Sequence, residues 1–233
     1  MSQRAINLGL LDTEPVDQAE REPAQPATAF RVGAHWNPEN FARQQIHGLV
    51  RQVFLSSALR PVRQVVFSAV EPGTDVRSLC RQVGEELSRE ISSSVAIVGT
   101  HLPTQLNPDR IVEPVIRIGL KPLHRIASRL HENLWLVPRA GAGSTASLHS
   151  YLGEVRREFD YSIVEAPPAG ESDEAAAMAQ FSDGIVLVLS AHRTRRVTAR
   201  KVKDALETAQ ARILGSVLSD RMFPIPEGIY RRL

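Results

Sequence analysis

Residues 64–78 read QVVFSAVEPGTDVRS, a continuous apolar run that breaks into a Pro-Gly turn and continues as the start of a helix. Five further runs repeat the first half of that pattern: VAIVG at 95, NLWLV at 133, YSIVEA at 161, GIVLVLS at 184 and ILGSVLS at 213. Their apolarity is continuous rather than alternating, and they are rich in β-branched residues. This suits parallel strands covered on both faces. Helical stretches at 78–90, 147–159, 172–181 and 195–210 fall between them, so the chain reads as repeated β-α units. The predicted architecture is α/β, a doubly wound, mainly parallel sheet. Ligands of such sheets bind beyond the C-terminal strand ends, which makes the segments just after the strands the candidate site.

Outward from these runs, NPENFARQQIHGLVRQVF at 37–54 places Phe41, Ile46, Leu49, Val50 and Val53 near one helical face and predicts an amphipathic helix. Residues 12–27 are acidic, proline-bearing and poor in large apolar groups, which predicts a disordered arm over residues 1–30 ahead of a single domain at 31–233. A chain of 233 residues, 42% hydrophobic, buries roughly 70–75% of its unfolded surface as one domain. The longest apolar runs are too short to cross a bilayer. The start of the sequence lacks a basic, then apolar, signal pattern, which predicts a cytoplasmic protein. A lone cysteine, Cys80, fits a reducing compartment and burial as a small hydrophobe.

A net charge of +2 does not point to nucleic acid. HRTRRVTARKVK at 192–203 carries six Lys or Arg residues and no acid. It reads either as a solvated helix start or as a contact for an anionic partner. The histidines, His35, His47, His101, His124, His131, His149 and His192, show no metal-site spacing and read as surface or packing residues. Ser68 is not in a nucleophile elbow, and Ser144 or Thr145 suits a helix cap. Trp36 and Trp135 read as packing residues.

A glycine-bearing strand–helix loop can cradle phosphate, because the free N–H groups and dipole of the helix start favour an anion. The loop here resembles that of a family. VVFSAVEPGTDVRS, VAIVGTHLP at 95–103, REFDYSIVEAPP at 157–168 and the closing FSDGIVLVLSAHRTRR and ILGSVLSDRMFPIPEGIYRRL together resemble the cytoplasmic ATPase-like domain of bacterial capsular and exopolysaccharide tyrosine autokinases. These belong to the deviant Walker A, P-loop NTPase group, and the resemblance covers about residues 38–233.

The resemblance implies a degenerate nucleotide site at Pro72, Gly73, Thr74, Asp75, Val76, Arg77, Ser78 and Ser219. Gly73 keeps the first loop glycine. Asp75 stands at the second glycine, Val76 at the phosphate lysine and Arg77 at the Ser or Thr that holds magnesium. Gly99 and His101 replace two aspartates, Glu165 replaces the aspartate of the third motif, and Ser219 replaces the Asn that reads adenine. Arg77, one residue past the lysine, is expected to face another side of the helix start, and Asp75 to act as its N-cap. Losing a lysine–phosphate bond costs about 1.5–3 kcal/mol. A carboxylate about 5 Å from phosphate adds roughly 3 kcal/mol of repulsion.

The expected function is therefore a pseudo-ATPase or pseudokinase, needing no cofactor, that acts as a regulatory partner in polysaccharide synthesis or export. Its partner would be the cytoplasmic segments of a membrane co-polymerase or chain-length regulator, at the inner face of the membrane. One alternative is an active tyrosine autokinase or ATPase with ATP and magnesium, in which Glu165 is the catalytic and metal-binding acid and Arg77 and Ser78 help rebuild the site. A second is a partition-type anion binder. The family's tyrosine cluster is represented here by Tyr230. The helix near Glu39 and Arg43 keeps part of the family's ring-packing pattern, which leaves a homo-oligomer open.

Overall fold

The computed structural model describes residues 7–8, 38–56, 61–99, 123, 126–139 and 145–220. It contains β1 (Asn7–Leu8), α1 (Pro38–Val50), β2 (Gln64–Ala69), α2 (Val76–Glu90), β3 (Val95–Gly99), β4 (Ser128–Arg129), β5 (Leu134–Pro138), α3 (Thr145–Glu158), β6 (Tyr161–Glu165), α4 (Glu174–Phe181), β7 (Gly184–Ser190), α5 (Arg196–Thr208) and β8 (Ile213–Ser219). All six apolar runs of the sequence are strands, and all pair in parallel in the order β8-β7-β2-β6-β3-β5. Two-residue strands close the sheet antiparallel at its edges, β1 on β8 and β4 on β5.

β1 corrects one expectation. Residues 1–30 were expected as a disordered arm, yet Asn7 and Leu8 pair with Leu218 and Val217. The free edge of β8 offers unpaired N–H and C=O groups, and two residues of backbone are enough to satisfy some of them. The acidic stretch 12–27 lies outside the described residues, as do Trp36, His101, Ser144 and Tyr230.

Strand residues alternate between two apolar cores, which is what continuous apolarity requires. Val65, Phe67, Val95, Ile97, Ile163 and Val186 face α1 and α2, and pack on Leu49, Val50, Leu79, Val83 and Leu87. Val66, Ala96, Val98, Val164, Ile185 and Leu187 face α3, α4 and α5. Burying each such Val, Ile or Leu contributes about 1.5–3 kcal/mol, so no single substitution decides the architecture. After Val50, α1 widens into a π-helical turn at Arg51–Leu55 that keeps Val53 and Phe54 buried, with Phe54 edge-on to Tyr161 at 6.3 Å.

The connections set the position of the site. β2 leads through α2 to β3, passing β6, whereas β6 leads through α4 back across β2 to β7. Chain direction thus diverges at β2 and β6, and a crevice opens beyond their C-terminal ends.

Candidate functional site

That crevice is a cavity of about 460 Å³ between the ends of β2 and β6, the start of α2 and Arg139 after β5. β2 delivers its rim through a turn at Glu71–Asp75. Gly73 takes φ +82, a left-handed conformation that glycine adopts without a Cβ clash. Arg193, from the basic stretch before α5, donates from Nη1 to Gly73 O and from Nη2 to Pro72 O, both at 3.3 Å. Thr74 lines the cavity, and its carbonyl accepts from Val76 N at 2.9 Å. Asp75 caps α2, its Oδ1 accepting from Ser78 N at 2.9 Å. This offsets one of the orphan N–H groups of the helix start, typically by about 1 kcal/mol.

The nine residues singled out from sequence do not all converge. Thr74, Asp75, Val76, Arg77 and Glu165 line the cavity. Val76 also belongs to the core under α2, so its methyl pair is buried. Ser78 turns to the helix surface, where its Oγ accepts from Gln82 Nε2. Ser219 lies at the end of β8 and donates to Leu189 O at 3.2 Å, joining β8 to β7. Ser68 is buried and donates to Pro167 O at 2.6 Å, tying β2 to the segment after β6.

Arg77 departs from its expected direction. It lines the cavity, with Nε 3.7 Å from Glu165 Oε1. The Cβ of a first-turn residue points one way, but a guanidinium several rotatable bonds further on is free to fold back. Glu165 ends β6, with its side chain 17% exposed. Because Val98 pairs with Val164, Gly99 and Glu165 end neighbouring strands side by side. A Cβ on Gly99 would lie 2.8 Å from Glu165 Oε2. The longer acid thus occupies room that an aspartate at position 99 would need.

Arg139 was not singled out from sequence. It follows β5 directly, its backbone N–H bonds Gly99 O, and its side chain is only 9% exposed. Nη2 meets Glu174 Oε1 at 3.5 Å, while Nε and Nη1 are buried without a hydrogen-bond partner. Buried polar groups are rarely left so, which marks this corner of the crevice. The one available signal was position, since a basic residue immediately after a parallel strand lies at the ligand-binding edge. Tyr151 packs nearby and donates to Pro138 O at 2.7 Å. Burial pushes its phenol well up, although the Arg139 cation pulls the other way.

Cys80 sits beneath the cavity in α2. Burial first, then the carboxylates of Glu165 and Asp75, push its thiol well above the ordinary range, so it is a packing group and not a nucleophile. Trp135 is half-buried between Phe159 and the guanidinium of Arg129, which lies 5.5 Å from its ring centre.

No protein-family model matches the chain. A tyrosine-protein kinase, CpsD of Streptococcus agalactiae, is 34% identical over 74 residues, which is 32% of this chain and 32% of that one. The matched segment thus spans about a third of that curated relative. The kinase domain of the Escherichia coli tyrosine kinase ETK superposes with TM-score 0.61 at 13% identity, covering 85% of this chain and 83% of that domain. The chimerical protein CapA2B2 gives TM-score 0.59 at 16% identity, covering 79% and 87%. The chain has the doubly wound α/β fold of the P-loop NTPases, in the form seen in bacterial tyrosine kinase domains.

Proposed function

We propose that this chain is a P-loop-type domain without magnesium–nucleotide chemistry. It acts as a regulatory partner in capsular or exopolysaccharide synthesis or export. The observation that carries the reading is the exchange of charges at the strand ends. Where the resembled family has two aspartates and a hydroxyl around a metal, this chain has Gly99, a Glu165 that fills the adjacent space, and the guanidinium of Arg77 beside it. A magnesium ion at Glu165 would stand against a cation already there. A doubly charged and a singly charged cation about 4 Å apart oppose each other by roughly 8 kcal/mol at an effective dielectric near 20. Arg77 is 56% exposed, so screening and side-chain motion lower that figure. The absence of a lysine at Val76 and the carboxylate of Asp75 act in the same direction. These residues do not fit a magnesium–nucleotide complex.

The polysaccharide context is supported by likeness to tyrosine-protein kinases over part of the chain, and the partner class is what the resemblance to capsular and exopolysaccharide autokinases implies. Cytoplasmic segments of a membrane co-polymerase or chain-length regulator would dock on the intact scaffold at the inner face of the membrane. The described residues contain no helix long and apolar enough to cross a membrane.

Calorimetric titration of the purified chain with ATP and ADP, with and without magnesium, tests the chemistry. No magnesium-dependent binding at millimolar nucleotide is expected. Micromolar, magnesium-dependent binding would overturn the proposal and install the active kinase or ATPase reading, with Glu165→Gln then abolishing phosphate release.

A further inference from the structure

Away from the crevice, α1 and α2 bring together three groups that lie far apart in sequence. His47 Nδ1, near the end of α1, lies 3.0 Å from Glu86 Oε1 and 3.4 Å from Glu90 Oε1 on α2. The two glutamates share a face of α2 because they are four residues apart. All three ligand atoms lie within 4.8 Å of one another. We propose that His47, Glu86 and Glu90 form a binding site for a divalent transition metal of the zinc type, clipping α1 to α2.

The chemistry of the donor set favours that class. One imidazole nitrogen and two carboxylate oxygens are a zinc-type combination, with the remaining position open to water or a further ligand. Tetrahedral bonds of about 2.0–2.1 Å separate neighbouring ligand atoms by roughly 3.3 Å. The observed 3.0 and 3.4 Å separations from His47 therefore need only small side-chain adjustments. The imidazole disfavours magnesium and calcium, which prefer all-oxygen sites.

Two neighbouring features support the site. Arg89 Nη1 binds the other Glu86 oxygen, Oε2, at 3.0 Å, which fixes the carboxylate with Oε1 facing His47. Such orientation of a ligand by an outer partner is the usual support of a metal site. Two carboxylates and one guanidinium still leave a net negative charge to meet the ion. Access is open, since the side chains of His47 and Glu90 are 38% and 34% exposed. A hydrogen bond from imidazole to Glu86 alone would not require Glu90 to approach the same nitrogen. The residues had no sequence signature as ligands because 39 positions separate His47 from Glu86.

The test is calorimetry and thermal unfolding of the full, tag-free chain with ZnCl2 and, separately, MgCl2. One zinc per chain and a zinc-dependent rise in Tm are expected, with no rise in magnesium. His47→Asn and Glu90→Gln alter half-exposed groups, so both should fold with an unchanged circular dichroism spectrum. Each should weaken zinc binding by roughly tenfold or more. Absence of a zinc-dependent Tm rise in the parent chain would overturn the proposal. So would zinc affinity that is undiminished in both variants, because the ion would then sit on other histidines. Either result is independent of nucleotide binding at the crevice.

Discussion

The two ends of the same sheet are built on opposite terms. At the N-terminal ends of the strands, polar side chains stitch neighbours together, although Gln64 Oε1 and Ser182 Oγ stay buried without a partner there. Asp183, just before β7, accepts from Arg63 N at 2.7 Å and Gln64 N at 2.8 Å at the start of β2, and holds Arg156 at 2.9 Å. Asp160, before β6, accepts from the N–H and hydroxyl of Ser94, before β3. Asn133, before β5, donates its Nδ2 to the carbonyls of Ser88, Ile91 and Ser93. At the C-terminal ends the polar groups are crowded instead: Asp75 and Glu165 share one cavity with Arg77 and Arg139, and two Arg139 donors are unmet. One end spends its polar residues on stability. The other concentrates charge at the edge where doubly wound sheets bind their ligands.

The largest expected effect is at the stitched end. Asp183→Ala removes two backbone N–H bonds and an ion pair, which makes a loss of about 3 kcal/mol in urea unfolding the expected result. A loss below about 1 kcal/mol would mean that this end is no better satisfied than the other, and the contrast would fail.

A smaller effect is expected where β3 and β6 end. Gly99→Asp places a second acid beside Glu165 and forces two carboxylates together, at a cost of roughly 2 kcal/mol. Glu165→Gln in the same chain should recover at least about 1 kcal/mol of that, measured as the coupling in a double-mutant cycle. Additive effects of the two changes would show that Glu165 did not take over the space and charge of position 99.

The same division explains how much was legible from the sequence. Six apolar runs specified six parallel strands because each strand repeats the signal several times over, as at Val65 to Phe67 or Ile185 to Leu187. The edge strands β1 and β4 carry no such pattern. Two residues pair there because a neighbour's edge is free, and nothing in Asn7–Leu8 alone records that. The loop from Pro72 to Ser78 was legible because its parts are consecutive. The cap at Asp75 followed from residue type and position, whereas the direction of Arg77 depended on rotamers that sequence does not fix. Arg139 with Glu174, and His47 with Glu86 and Glu90, are brought together only by the packing of distant elements. Each residue alone looks like an ordinary surface charge.

Arg139 also gives the finest measure of the contrast, because Arg156 offers the same side chain at the other end of the sheet. Arg156 is half exposed and holds a carboxylate at 2.9 Å. Arg139 is 9% exposed, with only a 3.5 Å contact to Glu174. A buried cation so poorly matched contributes little net stability, and an apolar group of similar shape often replaces it at no cost. Glu174, 26% exposed, would remain partly solvated after such a change. Arg139→Met is therefore expected to shift unfolding stability by less than about 1 kcal/mol, and a gain is within that expectation. A loss near 3 kcal/mol would show that the guanidinium is a structural strut. The crevice end would then be stitched like the opposite one, and the contrast between the two ends would fail.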